Sequence, residues 1–263
     1  MTVGELYRYL NEKIPPELSL DWDNDGLACC PDPGAKVRRV LVTLDPTEAV
    51  VDYAIREGYD VILTHHPLLF KGVKAVNCGT GSSRKLVKMI RAGVSAMAFH
   101  TRLDALTGGV NDIFADLLGI RDTVPFGADG EMIGRIGFLP EAMPFSDFCA
   151  LVKQRLGAPV LLASDAGRPV FRVAVLGGEG GDDLEAAVLA GADTFVSGRL
   201  GYHRMIDAPE TGINLIEAGH YFTEFPVCGK LASLVRAADE AMRTDDEAPV
   251  EVSVISSFRL SPV

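Results

Sequence analysis

The stretch Val61-Ile-Leu-Thr-His-His-Pro-Leu-Leu-Phe70 constrains this chain more than any other. Its β-branched and aliphatic residues predict a strand buried on both faces. Two adjacent histidines, His65 and His66, close the run. Pro67 then stops it, because proline has no N–H to give a ladder. The chain has only five histidines, and two of them stand side by side at one strand end. They are either ligands, or a polar loop start or a pair of satisfied core histidines. Adjacent strand residues point to opposite faces. As ligands, the two would therefore serve two ions on either side of the strand end rather than chelate one.

The elements around this strand alternate. Val37 to Leu44 predicts a strand. Asp45 is expected to cap the next helix, with Pro46 at its first position and Glu48 in its first turn. That helix ends at Gly58, and the histidine strand follows. The result is a β-α-β unit with parallel strands and a right-handed crossover. Ligands in such sheets gather at the carboxyl ends of the strands. A second helix, Arg84 to Arg91, leads to the strand Val94 to His100, which also ends in histidine, with Asp104 four residues on. Two of three strands ending in histidine on one expected edge exceeds what packing requires. Before them, Gly4 to Ile14 predicts an amphipathic helix. Leu20 to Gly26 predicts a tight turn whose Trp22, the only tryptophan, packs on the core.

Around Thr123 to Gly130, Pro125 and two glycines predict irregular chain and a domain boundary, giving lobes 1–123 and 124–263. The part from about 215 to 263 is expected to pack back on the first lobe. In the second half, strands are expected at 133–139, 160–163, 171–176, 194–197 and 213–217, and helices at 145–156 and to Leu189. The loop Gly177 to Asp183 lacks the pattern of a dinucleotide or Walker loop and predicts a structural turn. Ile213 to Glu217 leads to His220, and Glu224 again lies four residues beyond. A helix from about Phe225 to Ala241 and a last edge strand, Val250 to Phe258, complete the chain. The fold class expected is α/β: two lobes of β-α-β units with mostly parallel sheets, and a metal site at strand carboxyl ends between the lobes.

His65, His66, His100, Asp104, His220 and Glu224 form the candidate ligand set. Twice a strand ends in His-x-x-x-acid, a spacing that puts both side chains on one side of a helical turn. Imidazoles and carboxylates without thiolates suit zinc, iron, manganese, nickel or cobalt. Six ligands exceed one catalytic zinc but fit two divalent ions with open positions. The five cysteines are odd in number and show no C-x-x-C spacing, so they predict reduced thiols and a cytoplasmic protein. No apolar run is long enough for a membrane span. A net charge of −11 argues against general nucleic-acid binding, so an anionic or nucleotide substrate would need the metal's positive charge.

The blocks VLVTLDPTEAVVDYAIREGYDVILTHHPLLF, FHTRLDALTGGVND and GINLIEAGHYFTE, with WDNDG and GYH, resemble the signature blocks of the Nif-three-like family, also called the GTP cyclohydrolase I type 2 family. The resemblance spans nearly the whole chain in the family's order. It implies a two-lobed α/β subunit, a dinuclear metal centre, a homo-hexameric ring and a metal-dependent hydrolase. By motif position it implies the same six ligands. His203, in the GYH block, is expected either to line the site as an acid/base or to serve as a helix-capping or hydrogen-bonded histidine. Similar sequences usually carry an acidic residue after the Ser-Gly at 197–198, where this chain has Arg199. Arg199 is expected to be either a phosphate clamp or half of a surface salt bridge. A metal-handling or scaffold protein without turnover is the competing reading.

Overall fold

The computed structural model describes residues 1–257. By contact these fall into two compact units: Met1–Leu103 together with the segment from Val227 onward, and Asp104–Pro226.

The first unit opens with α1 (Val3–Lys13). Thr2 caps it in a reciprocal capping box with Glu5, and Val3, Leu6 and Leu10 form its buried stripe. The turn after it feeds β1 (Gly26–Cys29). Then come β2 (Arg39–Thr43), α2 (Glu48–Arg56), β3 (Val61–Thr64), α3 (Gly81–Ala92) and β4 (Ser95–Ala98). The α2 cap differs from expectation. Thr47, not Asp45, accepts from Val50 N, which leaves the Asp45 carboxylate for other partners. α3 starts earlier than predicted, because Thr80 caps it, and Gly93 ends it in the left-handed region at φ 72°. α4 (Thr101–Ala105) carries the chain into the second unit.

There the order is α5 (Val110–Leu117), β5 (Arg121–Phe126), β6 (Gly134–Met143), α6 (Phe145–Leu156), β7 (Leu162–Ser164), β8 (Val170–Glu179), α7 (Leu184–Leu189), β9 (Thr194–Arg199), α8 (Tyr202–Thr211), β10 (Asn214–Glu217) and α9 (His220–Glu224). The stretch around 123 is therefore a strand, not an irregular linker. β5 tolerates Pro125 because it lies at the sheet edge, where one side needs no ladder. The chain then returns to the first unit as α10 (Val227–Met242) and β11 (Glu251–Val254). Phe258, the expected end of the last strand, lies outside the described residues.

The first unit's sheet has the order β1-β4-β3-β2-β11. Every pair is parallel except β1 with β4. Its register decides where the histidines go. Thr43 faces Thr64, and Thr64 faces Ala98, so three adjacent strands stop at one level. Asp45, His65, His66 and His100 all leave from that edge. β1 runs the other way, with Gly26 opposite Ala98, so the turn before it arrives at the same edge. The second sheet, β5-β6-β8-β9-β10-β7, is mixed: β8, β9 and β10 are parallel and the outer pairs antiparallel. The fold is thus mixed α/β, with one sheet in each unit.

Each sheet is covered by its own core. Leu41, Val51, Ile62, Met89 and Ala96 pack together in the first unit. In the second, Val173 and Val175 face a cluster with Phe148 and Val152, while Ala174 faces another with Phe195 and Leu215. That alternation is the period of a strand buried on both faces.

Candidate metal centre

The first unit brings His65, His66 and His100 together. One ring nitrogen from each lies within 4.8 Å of the others. The ring centroids of His65 and His66 are 5.0 Å apart, and each lies 5.2 to 5.6 Å from that of His100. This corrects the expectation that His65 and His66 point to opposite faces. β3 ends at Thr64, so both residues stand beyond the pleat and the alternation no longer governs them. His66 N–H donates to Leu44 O at 3.0 Å, and the Thr64 hydroxyl donates to His66 O at 2.6 Å, which bends the chain there.

Each imidazole is oriented through the same atom. His65 Nδ1 lies 3.0 Å from Phe99 O. His66 Nδ1 lies 2.7 Å from Asp45 Oδ1. His100 Nδ1 lies 2.9 and 3.0 Å from the two Asp23 oxygens. A carbonyl or carboxylate can only accept, so each Nδ1 carries the proton and each Nε2 the lone pair. A ring held this way presents Nε2 to a metal, and an acceptor on the other nitrogen is the partner that ligating histidines usually have. His65 is fully buried, and His66 and His100 are partly so.

Asp23 and Asp45 are the residues sequence reasoning missed. Local sequence makes Asp45 a helix cap and WDNDG a turn and a family block, and neither reading makes their carboxylates partners of a histidine. Asp23 also accepts from Thr101 N at 3.0 Å and Thr101 Oγ1 at 2.7 Å. Burial pushes its carboxyl up, but the bonds from His100 and Thr101 outweigh this and hold it well below the usual carboxylate range. Asp25 accepts from His100 N and from the Nε of buried Arg102, at 3.2 and 2.8 Å. Arg102 reaches on to Asn11 Oδ1 and Ile14 O, anchoring the turn to α1. Trp22 does not join the core. It is 55% exposed, because its neighbour Asp23 must turn inward to His100.

The second unit contributes Asp104, His220 and Glu224. His220 Nε2 lies 3.0 Å from Glu224 Oε2, as the spacing of four within α9 predicts. A carboxylate oxygen of Asp104 lies within 4.8 Å of one from Glu224. Asp104 and Glu224 are buried, and His220 is 44% exposed at its side chain. The glycine stretch after Leu176 is explained here. β8 continues through it to Glu179, and at Gly178 (φ 70°) a Cβ would collide with Glu224 Oε1. At Gly198 a Cβ would stand 2.7 Å from His220 Cα and 2.8 Å from Thr223 Oγ1. The glycines let α9 press against the ends of β8 and β9 and deliver Glu224 there.

His203 is exposed on α8, with its ring edge-on to Tyr202 at 5.5 Å. It joins none of the metal-competent groupings among the described residues. Arg199 is 66% exposed at its side chain and pairs with Glu179 at 3.6 Å, the surface salt bridge of the two expectations.

Within the first unit, the His65, His66 and His100 imidazoles offer a donor set that fits a borderline divalent ion. Within the second, Asp104, His220 and Glu224 offer carboxylate and imidazole donors of the same class. The profile of the family described as DUF34/NIF3 (NGG1p interacting factor 3) matches residues 1–256. A Clostridium perfringens protein named GTP cyclohydrolase 1 type 2 homolog is 31% identical over 242 residues, covering 90% of this chain and 92% of its own. A Nostoc protein of the same name is 32% identical over 204 residues, covering 76% and 78%. Among solved structures, a Staphylococcus aureus hypothetical protein superposes with a TM-score of 0.85 at 26% identity, over 99% of both chains. A Bacillus cereus protein related to NIF3 superposes with a TM-score of 0.85 at 24% identity, over 100% and 98%, a likeness of fold. With residues 1–256 matched in sequence and its fold shared with these structures, the chain belongs to the DUF34/NIF3 family.

Proposed function

We propose that this protein is a metal-dependent hydrolase acting on a nucleotide or a phosphorylated small molecule at a centre of two divalent ions. The observation that carries the reading is the common orientation of His65, His66 and His100, each with Nδ1 held by an acceptor and Nε2 left as the lone-pair nitrogen. His65, His66 and His100 would hold the ions together with Asp104, His220 and Glu224, and Glu224 would bridge them. Bound ions would polarise a phosphoryl or ring-carbon electrophile and make water a nucleophile near neutral pH. The chain's own part is to fix the imidazole tautomers through Asp23, Asp45 and the Phe99 carbonyl. His203 is the one histidine outside the ligand set and is assigned proton transfer. The names of the relatives support a nucleotide as the substrate class. We place the protein in the cytoplasm as a homo-hexamer; no helix among the described residues is long and apolar enough to cross a membrane.

Elemental analysis after dialysis, paired with a turnover screen of GTP, other nucleotides and generic phosphodiesters, tests this reading. Wild type should retain two metal equivalents per chain. His65→Ala and His66→Ala should each weaken one, and Glu224→Ala both, with circular dichroism unchanged. His203→Ala should keep its metal and lose turnover. Metal retention without turnover on any substrate would instead support the metal-handling reading.

A further inference from the structure

Two large aromatic side chains stand exposed beside the histidine cluster of the first unit. Trp22 is 55% exposed and Phe70 is 54% exposed. Their centroids are 6.0 Å apart, and each ring meets His100 edge-on, at 6.1 Å for Trp22 and 6.2 Å for Phe70. Leaving such rings in water forgoes the burial that normally favours folding. Their placement is built rather than incidental. Trp22 directly precedes Asp23, whose carboxylate fixes His100. Phe70 lies in the loop that begins at His65 and His66 and runs on to α3. Asn24 Nδ2 donates to Leu69 O at 2.5 Å and ties the two loops together. Trp22 is thus held next to the carboxylate that orients His100, and Phe70 next to the bond that ties its loop to the Trp22 turn.

We propose that Trp22 and Phe70 form a stacking wall for the planar heteroaromatic ring of the substrate and so determine its specificity. The inference deepens the hydrolase reading and rests on it for the chemistry beside the wall. Indole and phenyl faces hold a flat π-system with little regard to its edge pattern, as aromatic platforms hold nucleobases. A ring on this wall lies against the His100 side of the cluster. The wall selects a nucleotide-like compound over a sugar phosphate by its ring, and over inorganic phosphate.

Trp22 is the only tryptophan, so tryptophan emission reports this position alone. Zinc-loaded full-length protein would be titrated with GMP, ribose 5-phosphate and inorganic phosphate under excitation selective for indole. GMP should quench the emission saturably, and the other two should not. Phe70→Ala should raise the apparent Kd for GMP by about fivefold or more, the loss expected for one stacking partner. Phe70→Tyr should restore it, with zinc content the same in all three proteins. Equal quenching by ribose 5-phosphate, or a GMP affinity indifferent to Phe70→Ala, would overturn the wall while leaving the metal centre intact. A blue-shifted emission inaccessible to iodide in the unliganded oligomer would overturn it too, because a second copy would then cover the rings. If the protein binds none of zinc, iron, manganese, nickel and cobalt, the hydrolase reading fails, and the same GMP titration of the metal-free protein decides the wall by the same criteria.

Discussion

His65, His66 and His100 reach their common tautomer by different means: a strand-end carbonyl, the carboxylate after β2 and the carboxylate before β1. Removing an orienting carboxylate frees the ring and its tautomer, so Asp23→Ala and Asp45→Ala should each lower zinc affinity by about 10- to 100-fold. Calorimetric titration of metal-free protein checks this, and an unchanged affinity would reduce those bonds to packing. Cys29 is a second test at this scale. Burial pushes its thiol up to about 11 from an ordinary value of 9.0, with the neighbouring Cys30 adding to the shift. Above pH 9 the unfolded chain ionises this thiol while the folded chain keeps its proton. The stability it contributes is therefore full below pH 9 and falls as pH rises toward 11. The urea midpoint should drop from pH 8 to pH 10.5, and less so in Cys29→Ala.

The elements owe the site to register and to close approach. β2, β3 and β4 end level, which converts three separate loops into one edge. In the second unit α9 sits on the ends of β8 and β9 only because Gly178 and Gly198 lack a Cβ. Gly178→Ala adds a steric clash with Glu224 to the strain of a positive φ. Gly212→Ala, at φ 70° with nothing within 4 Å, meets the strain alone. The left-handed region costs about 1–2 kcal/mol for an L side chain, and overpacking typically adds about 1–3 kcal/mol. Gly178→Ala should therefore destabilise by more than Gly212→Ala, and only the former should lose metal. Urea unfolding of the pair measures the difference, and equal midpoints would refute the clash.

For the whole molecule, the proposed ring is the point to test. β11 and β5 are sheet edges, which natural proteins blunt or cover. Exposed apolar side chains also stand on the second unit, among them Leu189 at 88% and Tyr202 at 74%. Both features suit burial between copies. Light scattering at micromolar concentration should give six times the mass of 28.2 kDa. A stable monomer would remove the hexamer and leave these surfaces unexplained.

The β-α-β alternation, the histidines that follow two strands at one sheet edge and the His-x-x-x-Glu turn of α9 were legible in the chain, because each depends on neighbours within a few residues. So was the family, since the motif order survives without coordinates. The convergence of His65 with His66 was not, because the pleat that would separate them stops at Thr64, before either histidine. Nor was the role of Asp45, since a cap and a histidine partner use the same carboxylate and only tertiary packing chooses between them. Asp23 lies 77 residues from His100, and nothing local links the two. Trp22 was misplaced for the same reason: hydrophobicity predicts burial, but an inward Asp23 turns its neighbour out. The glycines at 177 and 178 have an obvious turn propensity and a role that only α9, which starts at His220, could disclose. Sequence determined the elements and the donor types; tertiary structure decided which atoms of those donors face one another, because that depends on register, close approach and second partners far along the chain.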